Sequence, residues 1–415
     1  LSNKVFFHID VNSAFLSWEA ARRIKENSDS IDLRNIASAV SGDPKKRSGI
    51  ILAKSSIAKK FGVKTGEPVH LAKRKCPELY LVPADFNLYI ESSNAMIRFL
   101  NKYSPHVYQY SIDEAFIDMT GTQRLFGDPI TCANSMREKI KEELGFTINI
   151  GISDNMVLAK MAGDFSKPDK THTLFKNEIE EKMWPIPIEE LFFVGRKTAG
   201  ELRKMGIETI GDLAKMDINY IKRKLKKHGE VIHNHANGLD GYNFLGEKAK
   251  NKSVGNSTTT AFDISDLGTA KHLILSLSET VCARLRKKDM MAGVVSLEIV
   301  DINFKKNSAQ KKLKRRSNTV NAIYSTACEI FLDIWDGKPI RHIGVGTSKV
   351  ESKEEDQLNF FEYTFSKEEK LYKAVDDIRD KYGDDSLKRA SFLESEFRHM
   401  EGNKSKKKKD GIVYL

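Results

Sequence analysis
The sequence predicts an α+β chain of several domains, on three observations. At 415 residues it is longer than one ordinary hydrophobic core absorbs, so about two to four domains are expected. Strand-like and helix-like segments alternate through roughly the first 175 residues. From about residue 250 the texture changes to alternating β-type runs separated by two helical stretches.

Taken in order, residues 4–18 read as a strand running into a helix, and 19–77 as a basic insertion with turn signals at Ser41-Gly42-Asp43-Pro44 and Ser48-Gly49. An amphipathic helix follows at 88–102, a β-hairpin at about 106–119, a helix at 130–143 and a strand at 146–152. This β-α-β-β-α-β order suits a ferredoxin-like sheet, interrupted by the insertion after its first strand and helix. Residues 176–240 are mostly helical, with a glycine turn at Gly195. Strands are then expected at 252–262, 294–304, 316–324 and 340–350, with helices near 267–288 and 324–335. An acidic, linker-like run at 351–356, a helix at 367–382 and a basic tail end the chain.

Composition narrows the classes. With 40% hydrophobic and 30% charged residues the chain reads as soluble and globular. No run approaches the ~18 apolar residues that span a bilayer, and no apolar signal segment opens the sequence, so no membrane role is expected. Cys76, Cys132, Cys282 and Cys328 are widely spaced and read as reduced thiols of a cytoplasmic protein. A formal charge of +11 and a pI near 9.2 favour a polyanionic partner, although the tail Lys404–Lys409 carries part of the excess. Gly344-Val-Gly346 lacks the later glycine and the helix of a dinucleotide site. His228, His233 and His235 have no acidic or thiolate companion and read as surface histidines, not metal ligands.

The chemistry is concentrated in two segments. Tyr110-Ser-Ile-Asp-Glu-Ala-Phe-Ile-Asp-Met-Thr-Gly121 places Asp113 and Glu114 inside an apolar, β-prone run, where isolated charges are costly unless a cation compensates them. Neighbours on a strand point to opposite faces, so this pair can share an ion only near a bend. Asp10 sits in similar company in Phe6-Phe7-His8-Ile9-Asp10-Val11-Asn12-Ser13-Ala14-Phe15. Strand-borne carboxylates far apart in sequence are the usual ligands of paired Mg²⁺ ions. The alternative is that each acid merely ends a strand or caps a turn.

A third segment, Gly151-Ile-Ser-Asp-Asn-Met-Val-Leu-Ala-Lys-Met-Ala-Gly-Asp-Phe-Ser-Lys-Pro168, reads as a strand end and a helix stopped by Pro168. The three together, in this order and spacing, resemble the catalytic palm of the Y-family (translesion) DNA polymerases. The resemblance extends over roughly residues 4–395. It implies a ferredoxin-like palm (1–18 and 78–175), small fingers (19–77), a helix-hairpin-helix thumb (176–240) and an α/β little-finger domain (250–350). The activity implied is error-prone, template-directed DNA synthesis past damaged bases in a bacterial cytoplasm, at the nucleoid when acting. Its substrates would be primer-template DNA and deoxynucleoside triphosphates, and the enzyme a monomer.

By this resemblance Asp10 and Asp113 bridge two Mg²⁺ ions, with Mn²⁺ able to substitute. Glu114 completes the ion nearest the primer hydroxyl, and the Val11 carbonyl is a further ligand. Lys167 and Lys59 face the triphosphate as point charges. Phe15 stands where the family places the ring that rejects ribose, the alternative being a core aromatic. Many members carry Tyr and Arg five and two residues before Phe61-Gly62; this chain has Ser56 and Lys59, which should loosen the grip on the phosphates. With Asp10-Val11-Asn12 in place of Asp-x-Asp, Lys59 looks closer to the UmuC-like branch.

DNA contacts are expected from Gly195 and Lys197, at a helix N-terminus that can offer N–H groups to phosphate. The family more often has glycine where Phe193 stands, so a distorted hairpin is expected. The run Lys311, Lys312, Lys314, Arg315 and Arg316, beside a strand, can neutralise phosphates without reading bases, unless it is a solvated loop. Gln357-Leu358-Asn359-Phe360-Phe361 resembles the Gln-Leu-x-Leu-Phe peptide that docks bacterial polymerases on the sliding clamp; alternatively its apolar residues pack the following helix. Competing readings are an inactive DNA-binding paralogue and, less well supported by Lys59, Lys167 and Phe15, a metal-dependent nuclease.

Overall fold
A computed structural model of the chain describes residues 4–43, 47, 49–241, 252–352, 365–393 and 395–401. Residues 1–42 with 49–246 form one compact unit, and 43–48 with 247–415 a second.

The first unit begins with β1 (Phe6–Val11) and α1 (Ala14–Glu26). A small sheet follows, of β2 (Ser38–Ser41), β3 (Ile51–Lys54) and, after the short helices α2 (Ser56–Lys60) and α3 (Val69–Lys75), β4 (Tyr80–Pro83). Its order is β3-β2-β4, with β4 parallel to β2. Pairing with β2 therefore draws Tyr80–Pro83 into this subdomain, past residue 77, because a parallel partner can be reached only after the crossover through the two helices.

Next come α4 (Phe86–Leu100), β5 (Val107–Gln109), β6 (Glu114–Asp118), α5 (Gln123–Phe126), α6 (Pro129–Leu144), β7 (Ile148–Ser153), α7 (Met156–Asp164) and β8 (Thr171–Thr173). The larger sheet runs β5-β6-β1-β7-β8. Both neighbours of β1 are antiparallel to it. Phe7, Ile9, Val11, Ala115, Ile117, Ile148, Ile150 and Ile152 pack one face against α1, α4 and α6 through Leu16, Met96, Leu100, Met136 and Ile140. Alternation sends His8, Asp10, Glu114 and Asn149 to the other face. The helices start on fitting caps: Asp85 and Asp128 accept first-turn N–H groups of α4 and α6, and Asn155 caps α7 through the Leu158 N–H.

α8 (Arg196–Lys204), α9 (Ile210–Lys215) and α10 (Ile218–Ala236) close the first unit around Leu191, Leu202, Ile210, Leu213 and Ile232. His235 is 3% exposed and stacked on Phe192 at 5.8 Å. The reading of all three histidines as surface residues is therefore wrong for His235. Its position on the inner face of α10 decides that, not its polarity.

The second unit contains β9 (Ser253–Ile264), α11 (Leu267–Arg286), β10 (Met290–Asp301), β11 (Lys306–Ser317), α12 (Val320–Ile334), β12 (Ile340–Ser352) and α13 (Phe365–Tyr382). Its sheet is antiparallel, in the order β11-β10-β12-β9. One face is buried against α11 and α12 through Val295, Leu297, Leu277, Val281, Ile323 and Phe331. The strand expected at 316–324 is not formed. Lys306–Ser317 is the strand and Val320–Ile334 a helix. β11 lies at the sheet edge and buries little beyond Leu313 and Ser317, so its sequence lacks the apolar alternation that would announce a strand.

α13 and the segment after it dock on α11. Glu279, 2% exposed, is paired with Arg379 at 3.0 Å and with Arg389, and Asp376 receives both arms of Arg286. Arg379 also donates to the Leu387 carbonyl at 3.1 Å. Among the described residues no helix is long and apolar enough to cross a membrane. The clamp-like peptide with Gln357, Leu358, Phe360 and Phe361, and the tail Lys404–Lys409, lie outside the described residues.

Candidate active site
β1 and β6 pair so that Asp10 stands directly opposite Glu114. Asp113 lies in the turn just before β6, and its carbonyl accepts the Val11 N–H at 3.1 Å. Asp113 and Glu114 thus straddle a bend, the place where adjacent side chains need not diverge. Ser111 shapes that bend. Its hydroxyl donates to Asp113 Oδ1 at 2.6 Å and accepts the backbone N–H of Glu114 at 2.9 Å.

Two lysines hold the other carboxylates. Lys160, on the buried face of α7, reaches Glu114 Oε2 at 2.8 Å, and its ammonium lies 5.7 Å from the Tyr110 ring centre and 5.4 Å from that of Phe192. Lys167 pairs with Asp10 and, at 2.8 Å, with Asp164. Burial alone would raise the Glu114 carboxyl, but contacts from His8 and Lys160 outweigh it and bring its pKa to about 2. Burial raises Asp10, with Lys167 opposing. Burial would lower the Lys167 ammonium, but Asp10 and Asp164 reverse this and raise it. His8 is fully buried, 3.5 Å from Glu114, and desolvation depresses its pKa, which favours neutral imidazole.

Among the described residues no three carboxylate, imidazole or thiolate side chains converge into a preformed metal site. The donors nevertheless fit hard divalent cations. Asp10, Asp113 and Glu114 offer only oxygen, lie at or next to the ends of two paired strands, and are held by cationic or hydroxyl groups that an ion can replace.

Around this centre, Ser13 takes a left-handed conformation (φ 48°) and turns the chain from β1 into α1. Phe15, two residues on, is half-buried, with its ring stacked on Tyr89 at 4.5 Å and 13°. Ser56 and Lys59 are exposed on α2. Lys54, which the sequence pattern does not single out, contacts Thr65 at 3.0 Å, and desolvation with the neighbouring Lys59 charge lowers its pKa. Gly195 caps α8, and both it and Lys197 are exposed. Phe193 adopts a left-handed conformation (φ 74°), at a cost of about 1–2 kcal/mol. Its ring stacks on Phe192 at 4.3 Å and on His235 at 5.5 Å. The Val194 N–H donates to the Leu191 carbonyl at 2.8 Å, so the strain at Phe193 does not open the turn.

The basic run of β11 does not act as one patch. Lys311 turns to α12, 2.9 Å from Asp333 and 3.5 Å from Glu329, and Arg316 pairs with Glu351. Lys312 and Lys314 are exposed, while Arg315 is half-buried. Strand alternation separates Lys311 from Lys312 and Lys314.

The first unit thus combines a mixed five-stranded sheet, carboxylates on two of its paired strands, lysines beside them and a helical hairpin, an arrangement suited to a nucleotidyl-transferring polymerase. The impB/mucB/samB family matches residues 9–164, its C-terminal domain 251–360, and the IMS family HHH motif 176–207. The chain belongs to this family, the Y-family DNA polymerases. It is 42% identical to a DNA polymerase IV of Clostridium acetobutylicum, over 95% of this chain and 99% of that protein. It is 35% identical to DNA polymerase IV 2 of Bacillus subtilis, over 95% of each. Its fold is similar to that of a solved Y-family DNA polymerase chimera of Dbh and Dpo4, with TM-score 0.71 and 22% identity, covering 84% of this chain and 99% of that one.

Proposed function
We propose that this chain extends a primer on a DNA template by nucleotidyl transfer and copies past damaged bases, with low fidelity. The observation that carries the reading is the pairing of Asp10 with Glu114 across β1 and β6, Asp113 beside them in the turn, in a chain of this family. Asp10, Asp113, Glu114 and the Val11 carbonyl would hold two Mg²⁺ ions, or Mn²⁺ in their place. When bound, such ions lower the pKa of an attacking hydroxyl and stabilise the charge of a departing pyrophosphate.

The chain's own groups do the rest. Lys167, already beside Asp10, and the exposed Lys59 bind the triphosphate, with Ser56 lining its path. Phe15, fixed by its stack on Tyr89, excludes a 2′-hydroxyl. Gly195 and Lys197 position a phosphate, and Lys312 and Lys314 hold the duplex backbone. The enzyme acts as a monomer in the bacterial cytoplasm, on the nucleoid.

Primer extension with four deoxynucleotides and Mg²⁺ tests the reading. Growth of the primer supports it; binding without growth marks an inactive accessory protein, and shortening a nuclease. The segment Gln357, Leu358, Phe360 and Phe361 is proposed to dock on the sliding clamp. The triple variant Gln357→Ala, Leu358→Ala, Phe361→Ala should extend normally alone and lose stimulation by the clamp. Full stimulation of that variant would return the segment to a packing role.

A further inference from the structure
The loop that carries Lys167 is tied to the sheet by two buried amides. Asn12, one residue beyond β1, is 8% exposed, and Asn149 in β7 is fully buried. Asn149 stands in register opposite Asp10. Its Nδ2 donates to the carbonyls of Gly163 at 3.1 Å and Ser166 at 2.6 Å. Its Oδ1 accepts the Lys170 N–H at 3.3 Å and Asn12 Nδ2 at 3.1 Å. Asn12 Oδ1 in turn accepts the Asp169 N–H at 2.9 Å.

Backbone groups fix the direction of every bond in this relay. Two carbonyls require the Nδ2 of Asn149 on one side, and two backbone N–H groups require the amide oxygens on the other. Position 12 must therefore both accept from Asp169 and donate to Asn149. A carboxylate there could only accept, and would place an oxygen against Asn149 Oδ1 in a buried setting. Four of the five bonds end on the loop and its entry, at Gly163, Ser166, Asp169 and Lys170, on both sides of Lys167.

We propose that Asn12 and Asn149 are a matched pair of positioning residues that aim Lys167 at the incoming nucleotide's triphosphate. The proposal rests on the reading of Lys167 as a triphosphate contact. Neither amide need touch the nucleotide. Both act by fixing the loop, so that the ammonium is in place before the nucleotide arrives. Lys167 holds the triphosphate before and during the reaction, so a loosened loop weakens nucleotide binding more than it slows the step at saturation. Primer-template binding rests on other elements and is unaffected.

The test is steady-state extension by the full chain with Mg²⁺, with nucleotide KM and kcat measured separately, alongside primer-template Kd and thermal melting. The variants are Asn12→Asp, Asn12→Ala, Lys167→Ala and each Asn12 change combined with Lys167→Ala. Asn12→Asp should raise the nucleotide KM about tenfold, with kcat and DNA Kd within about twofold. In the Lys167→Ala background it should raise KM no further. Asn12→Ala introduces no buried charge, and it decides the question if the Asp variant fails to fold. An Asn12 effect that persists undiminished without Lys167 would show that the pair only braces the sheet, as would an unchanged KM beside a raised one in Lys167→Ala. If Lys167→Ala itself leaves KM unchanged, the triphosphate reading of Lys167 falls, and this proposal with it.

Discussion
Glu114 and Lys160 form a half-buried ion pair at the start of β6, whereas Asp113 is held by a hydroxyl. The two carboxylates should therefore differ in what their removal does to the fold. Asp113→Ala and Glu114→Ala should both abolish extension and leave primer-template affinity nearly intact. Asp113→Ala should cost about 1 kcal/mol of stability, the worth of one hydrogen bond, while Glu114→Ala should cost about 1–3 kcal/mol because Lys160 loses its partner. Near-normal extension by either variant would remove that carboxylate from the reaction. Phe15→Ala should admit ribonucleotides far more readily, and should lower stability by about 2–3 kcal/mol because the ring packs on Tyr89 and Phe86. Single-nucleotide insertion with ribo- and deoxynucleotides checks the first outcome. An unchanged preference for deoxyribose places the gate elsewhere.

β11 is where element and residue disagree most. Its basic residues look continuous in sequence, yet the pleat divides them: Lys311 is spent on Asp333 and Glu329, and Lys312 and Lys314 remain exposed. Changing Lys312 and Lys314 to Ala should flatten the salt dependence of DNA binding, by roughly 0.9 in log–log slope for each phosphate left without its lysine. Lys311→Ala should leave the slope unchanged, because its ammonium is already held by Asp333 and Glu329. Equal slopes for the double variant and the parent would make β11 a solvated edge. At position 12 the structure supplies a local reason for an amide, the buried side chain of Asn149.

At the scale of the molecule, the second unit has a core of its own and a clasp that closes it. Arg379, 6% exposed, joins α13 to Glu279 on α11. Arg379→Ala should cost about 3–5 kcal/mol, because Glu279 would remain buried with less compensation. Melting of the isolated fragment 252–401 measures this directly, without the first unit's transition. A loss below 1 kcal/mol would mean that Arg389 and solvent suffice, about the level of an exposed pair.

From the residues alone the class of fold, most of its element order and three candidate metal-binding acids could be read. Asp10, Asp113 and Glu114 were legible because carboxylates in apolar strand-like runs are expensive, and the cost points to a cation. The helices at 86–100, 129–144 and 267–286 were legible because each buries one apolar stripe at helical spacing. Lys160, His8, Ser111 and Asn149 were not. Each lies in a run whose pattern is satisfied without it, and its role arises only when β6, β1, β7 and α7 pack together. Tertiary structure alone decided which lysine meets which carboxylate, which face of β11 carries charge, and that His235 is buried. It also decided why position 12 is an amide. Those outcomes depend on contacts between residues far apart in the chain, and local periodicity holds no record of them.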